Sequence, residues 1–177
     1  MNSGERSLAE PVKVYWDSCA WLGLVNAEPE KLPPLRAVYG QARRGLVEIW
    51  SSTIAIVEVN RLASEMSKPK PIDPESLEKI DGLLFQPFVK LINLDQIVAR
   101  RARKLIRETP KLSKRPDAIH LASAMLWNIP LFHTYDHDDL LHLNGSILCD
   151  DGTLMEISTA RDPFDGGLLS GAPEVAS

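Results

Sequence analysis

Short β-prone apolar runs alternate with stretches patterned as helices, and this alternation limits the fold more than any other feature of the chain. The runs are VKVYW at 12–16, LVEIWSS at 46–52, FVKLINL at 88–94 and PLFHTYD at 130–136. Apolar spacing with start and stop residues predicts helices over about 19–27, 34–44, 51–66, 74–85, 96–108 and 116–128. Gly45 suits a helix C-terminus, Pro74 and Pro116 suit helix starts, and Asp95 suits an N-cap. KPKPIDP, with three prolines, reads as a loop. HDDLLHL predicts a short helix ended by Asn144-Gly145, and either SILCD or TLMEIS supplies a fifth strand. Strands alternating with helices predict an α/β sandwich around a mainly parallel sheet. Residues 1–11 read as a leader, 12–160 as one domain and 161–177 as a mobile tail rich in Gly, Ser, Ala and Pro.

Composition narrows the class. At 177 residues, 44% hydrophobic and 25% charged, the chain has the make-up of an ordinary globular domain. MNSGERSLAE carries no apolar core of a secretory signal, and no apolar run reaches bilayer length. The two cysteines, Cys19 and Cys149, form no CxxC, so a disulfide framework or cysteine-built zinc site is not expected. The expected compartment is the cytoplasm. A net charge of −4 argues against a broad nucleic-acid coat but leaves room for a local grip on RNA.

In parallel α/β sheets, ligands gather outside the carboxyl ends of the strands, so acids at those ends carry weight. Asp17 ends the first run, and its plain role is a helix N-cap. Glu58 lies in TIAIVEVNRLA, on a face shared with Ile54, Arg61 and Glu65. Its plain role is an ion pair with Arg61, yet Ile56, Val57 and Val59 around it predict burial, where a charge needs a partner. Asp117 follows Pro116 in the first turn of a helix apolar nearly all round, a turn the helix dipole already favours for an acid. Asp136 ends the fourth run, and Asp138 and Asp139 follow at once, more acids than one cap needs. If these acids converge, repulsion and desolvation call for a cation, and hard oxygen ligands suit Mg²⁺ or Mn²⁺.

In order, VYWDSCAWL, STIAIVEVNRL, RPDAIHLASAM and FHTYDHDDL resemble the PIN domain, most closely its VapC-type ribonuclease toxins, over about residues 12–150. The resemblance implies a three-layer α/β/α sandwich with a mainly parallel, about five-stranded sheet. It implies Mg²⁺- or Mn²⁺-dependent endonucleolytic hydrolysis of single-stranded RNA, leaving a 5′-phosphate and a 3′-hydroxyl. On that pattern Asp17, Glu58 and Asp117 are catalytic acids and metal ligands. Asp136, after Thr134, serves a second metal or a water beside it, and Asp138 is an additional ligand. Ser18 fills the position after the first acid and helps place metal or substrate. The resemblance also implies an antitoxin protein and a second copy as partners. The leader, the insertion near 68–74 and the tail exceed a typical toxin, which bears on the toxin role.

Residues 100–115 are strongly basic, with Glu108 as the sole acid, and Arg100, Arg103, Lys104 and Arg107 are expected on one helix face. Arg107, Lys114 and Arg115, leading into Asp117, are the candidate phosphate contacts, with Ser18 and Thr134 beside them. Against this stands a merely solvated face. Trp16, Trp21, Trp50 and Trp127 are expected in the core, and His133 and His137 straddle a strand end rather than sharing a face as zinc ligands. Two other classes compete with the nuclease. One is a PIN-like module that binds RNA or protein without catalysis. The other, phosphoryl transfer through Asp17, lacks a well-placed lysine and acidic pair.

Overall fold

The protein is described by a computed structural model, whose residues 10–72 and 74–165 are treated below. Five strands form one sheet: β1 (Val12–Trp16), β2 (Val47–Ser52), β3 (Val89–Ile92), β4 (Leu131–His133) and β5 (Glu156–Ser158). The sheet order is β3-β2-β1-β4-β5, and every pairing is parallel. The helices are α1 (Ser18–Val25), α2 (Leu32–Arg43), α3 (Ile54–Glu58), α4 (Glu75–Leu84), α5 (Gln96–Glu108) and α6 (Arg115–Leu126). None of the described helices is long and apolar enough to cross a membrane.

Alternation along β1 separates the two faces. Val14 and Trp16 join α1, α2 and α4 in one apolar core, through Trp21, Leu35, Val38, Ile80 and Leu84. Tyr15 points the other way, into a core built with α5 and α6 through Val98, Leu105, Leu121 and Ala122. The period-two pattern of a strand thus makes three layers. Burial of alanines at 118, 122 and 124 lets α6 lie close against the sheet and α5.

Local chemistry explains where elements begin and end. Asp95 caps α5, its Oδ1 accepting from the backbone N–H groups of Ile97 and Val98 at 2.9 Å. The helix expected through residue 66 stops at Glu58. The Asn60 side chain donates to the Val57 carbonyl at 2.5 Å, taking an acceptor that further helix would use. A short 3₁₀ turn, Ala63–Glu65, follows. Ile56 and Val57 are exposed, so the burial expected around Glu58 does not come from them. HDDLLHL forms only a 3₁₀ turn at Leu141–Leu143. TLMEIS supplies β5, while Leu148 and Leu154 make an isolated antiparallel bridge.

The leader and tail expectations fall mostly outside the described residues, which exclude 1–9 and 166–177. The start of the supposed tail is fastened: Gln41 Nε2 donates to Asp162 Oδ2 at 2.9 Å, and Phe164 packs on the α1–α2 core. Trp16 and Trp21 are fully buried, Trp50 is half-buried and Trp127 is exposed, against the expectation of four core tryptophans.

Gly23 marks the closest approach of α1 and α2. A Cβ there would lie 2.9 Å from Leu35 Cδ1 and 3.1 Å from Lys31 Cδ. Gly23→Val is expected to lower stability by about 1–3 kcal/mol, read as the shift of a denaturant midpoint.

Candidate active site

The sheet order reverses beside β1. The chain moves from β1 outward to β2 and β3, then returns to place β4 on the other side. The crevice at that reversal, at the carboxyl ends of β1 and β4, is where such folds hold ligands. Asp17 leaves β1 there, and Thr134 and Asp136 leave β4.

Asp17 fills both roles weighed for it. Its Oδ1 accepts from the Ala20 N–H at 3.0 Å and caps α1. Its Oδ2 accepts from the Thr134 hydroxyl at 2.5 Å. The Asp136 N–H donates to the same Thr134 oxygen at 2.9 Å, so one threonine ties the two strand ends together. Only 2% of Asp17 is exposed. Burial pushes its carboxyl pKa up, against the lowering influence of His120, Thr134 and the Ala20 amide.

Across the crevice lie Asp117, in the first turn of α6, and Asp136 and Asp139 in the loop after β4. One carboxylate oxygen from each comes within 4.8 Å of the others. Asp136 Oδ1 accepts from the backbone N–H groups of Asp138 and Asp139, both at 2.9 Å, which folds the loop so that Asp139 returns to the cluster. Lys114 Nζ bridges Asp136 and Asp139 at 2.8 and 2.7 Å. Asp117 is left over: its Oδ2 is buried and has no hydrogen-bond partner. Burial first, then Asp136, pushes its carboxyl up to about 6. Asp136 and Asp139 are held below the ordinary carboxylate value: burial raises Asp136, but Lys114 outweighs it, and Lys114 is also the main influence on Asp139.

Glu58 ends α3 and faces a different set. Its Oε2 accepts from His120 Nε2 at 2.9 Å and from the Ser18 hydroxyl. His120 is 1% exposed, and its Nδ1 lies 2.8 Å from the Tyr15 hydroxyl. The network is satisfied when Nε2–H donates to Glu58 and Tyr15 donates to Nδ1. Burial raises the Glu58 carboxyl, but the hydrogen bonds from His120 and Ser18 prevail and hold it low.

Several sequence expectations change here. Asp138 is exposed and stands outside the three-acid cluster, which Asp139 joins. Asp17 and Glu58 also lie outside that 4.8 Å group, though Asp17 raises the Asp117 carboxyl. Arg61 is not the partner of Glu58; His120 is. Ser18 and Thr134 are buried and spend their hydroxyls on Glu58 and Asp17, which leaves neither open to RNA. Lys114 already engages Asp136 and Asp139. Arg107 and Arg115 are exposed and line a cleft between α5 and α6. Arg100, Arg103, Lys104 and Arg107 lie within about 100° of one another around α5, with Arg103 and Arg107 bordering that cleft and Arg100 and Lys104 a second hollow beside it. His120 was missed, although its spacing three residues after Asp117 puts both on one helix face. Cys19 is half-buried, and burial with the surrounding acids pushes its thiol up to about 12, far from a nucleophile's range.

The donor set can be tested for a divalent cation. All three clustered groups are carboxylates, and one buried oxygen is orphaned while the others already engage an ammonium. Hard oxygen donors with an unmet acceptor fit Mg²⁺ or Mn²⁺.

A family model described as PIN domain matches residues 14–145. The chain belongs to the PIN domain family. Among solved structures it is similar to VapC20 of Mycobacterium tuberculosis, described as a sarcin-ricin loop cleaving toxin. Sequence identity is 14%, the TM-score is 0.56, and the match covers 71% of this chain and 91% of that one. VapBC2 of Rickettsia felis, bound to a DNA fragment from its promoter, matches with 14% identity and a TM-score of 0.48, over 71% of this chain and 100% of that one. No curated protein matches the chain. The PIN fold and the all-parallel five-stranded sheet therefore stand as the sequence motifs implied.

Two outcomes follow from this electrostatic arrangement. Lys114→Met removes the ammonium that competes for Asp136 and Asp139. It is expected to lower the thermal midpoint of the metal-free protein and to tighten Mn²⁺ binding several-fold in calorimetry. The Asp117 carboxyl must lose its proton to serve a cation. Its raised value, about 6 against an ordinary 3.8, means that the proton is bound below about pH 6. Mn²⁺ affinity is expected to hold above that pH and then fall, approaching about tenfold per pH unit, with proton release on binding.

Proposed function

We propose that this PIN domain is a divalent-metal-dependent endoribonuclease acting on single-stranded RNA, of the kind that serves as a toxin held in check by an antitoxin protein. The carrying observation is the convergence of Asp117, Asp136 and Asp139 within 4.8 Å, with a buried, unpartnered oxygen on Asp117. The fold likeness to VapC20, described as a sarcin-ricin loop cleaving toxin, supports this reading of substrate class and toxin role.

In this reading Asp17, Asp117 and Asp136 hold Mg²⁺ or Mn²⁺ with Asp139, and Asp138 lies at the rim. A divalent ion bound there lowers the pKa of a water and stabilises the charge that develops on a phosphodiester. The chain's own residues fix the geometry around it. Thr134 orients Asp17 Oδ2 while the α1 amide holds Oδ1. Asp138 and Asp139 amides orient Asp136. His120, anchored by Tyr15, positions Glu58 and keeps it ionised at the edge of the crevice. Lys114 neutralises part of the cluster until a cation arrives.

The reading is tested by RNA cleavage with Mg²⁺ or Mn²⁺, beside metal calorimetry on the same samples. Asp117→Asn and Asp136→Asn are each expected to lower cleavage more than about a hundredfold and to weaken metal binding in parallel. His120→Ala frees Glu58 and is expected to cost about 10–100-fold, with partial return in His120→Gln, which keeps a donor. Cleavage that persists in EDTA or in Asp117→Asn would sink the proposal. Metal and RNA bound without any cleavage would favour a binding module.

A further inference from the structure

Outside the acidic cluster, the seam between α5 and α6 combines a cavity, exposed apolar surface and unanswered charge. A cleft of about 360 Å³ opens there, within the size range of small-ligand sites. Leu94, Ile106 and Ile119 give it apolar walls, and Arg103, Arg107 and Arg115 surround it.

Charge on α5 is only partly paired, and Arg100 meets no carboxylate among the described residues. Away from the cleft, Arg101 pairs with Asp150 at 2.7 Å and Lys104 approaches Glu108 at 3.9 Å. Toward the cleft, no carboxylate among the described residues comes within ion-pair distance of Arg103, Arg107 or Arg115. Three guanidiniums around one apolar hollow repel each other and gain nothing in the free protein. A ligand carrying negative charge beside a flat apolar surface would answer both features. Guanidinium groups bind phosphate through two N–H donors and stack on planar rings.

The cleft is also joined to the crevice. Arg115 stands two residues before Asp117 in the first turn of α6. The Leu94 N–H donates to Thr53 Oγ1 at 3.2 Å, and Thr53 begins the short helix that carries Glu58. The hollow therefore lies close to the acids along α6.

We propose that the α5–α6 cleft is a nucleotide subsite. One unstacked base of single-stranded RNA enters against Leu94, Ile106 and Ile119, and Arg103, Arg107 and Arg115 hold the flanking phosphates. The choice of RNA rests on the ribonuclease reading above. An acidic peptide would meet the same charges, but the position beside Asp117 puts the cleft on the route of the cleaved strand. The subsite reads a base at a fixed distance from the cut and so contributes to target choice.

Anisotropy of a short fluorescent single-stranded RNA of mixed sequence, with the full chain in EDTA, measures the subsite without cleavage. Arg103→Ala with Arg107→Ala is expected to weaken binding about tenfold, the scale of one stacked base. Ile106→Trp, which fills the hollow without changing charge, is expected to do the same. Leu94→Ala provides a milder variant if the tryptophan disrupts folding, and thermal melts check each protein. Arg100→Ala with Lys104→Ala removes equal charge from the second hollow beside it and is expected to cost less than about threefold. Equal losses in cleft and control variants overturn the subsite, as does absence of RNA binding by the unaltered chain. An oligoglutamate peptide that binds as tightly as RNA, with the same losses, also overturns it. Cleavage with Mn²⁺ separates the two readings. Cleavage intact with cleft variants still binding fully removes the subsite alone. Cleft-dependent binding without any cleavage removes the ribonuclease reading alone.

Discussion

Asp117, Asp136 and Asp139 cluster near Asp17 where the sheet order reverses, and the repulsion among these acids must be offset by what surrounds them. Each is treated differently. Asp17 is buried but held by a helix amide and a threonine hydroxyl. Asp136 receives two loop amides and an ammonium. Asp139 shares that ammonium. Asp117 alone has a buried oxygen with nothing to answer it, and its carboxyl is displaced furthest toward neutrality of the three clustered acids. The remaining strain is therefore concentrated on one group, at the start of α6. Such an arrangement gives a bound cation its largest gain at a single, defined oxygen.

The backbone frame was legible because its signals are local. Asp95 with the apolar spacing after it located α5, and the alternation of VKVYW separated the two faces of the sheet. Side-chain competition with the backbone was harder to read. Asn60 ends α3 by taking the Val57 carbonyl, and nothing in the apolar pattern of that segment registers a single amide. Hence the helix expected to run to Met66 covers only Ile54–Glu58, and two of the apolar residues that seemed to bury Glu58 face solvent.

Four acids stand out in the sequence, but their partners depend on contacts distant in sequence. His120 reaches Glu58 across 62 positions, and Thr134 reaches Asp17 across 117. The choice between Asp138 and Asp139 turned on how Asp136 folds the loop over its own carboxylate, a matter of one residue of register. Charge patterning was likewise read too coarsely. The basic run of α5 is plain in the sequence, but its pairing is not: Asp150, 49 positions on, answers Arg101.

Thr134 has a further significance. It accepts from the Asp136 amide of its own loop and donates to the Asp17 carboxylate at the end of β1, so one side chain both shapes the β4 loop and ties it to β1. The crevice is in effect one mechanical part: the Thr134 hydroxyl closes it beside the Asp17 N–H and Trp16 Nε1 bonds to His133, so a change at either strand end is felt at the other.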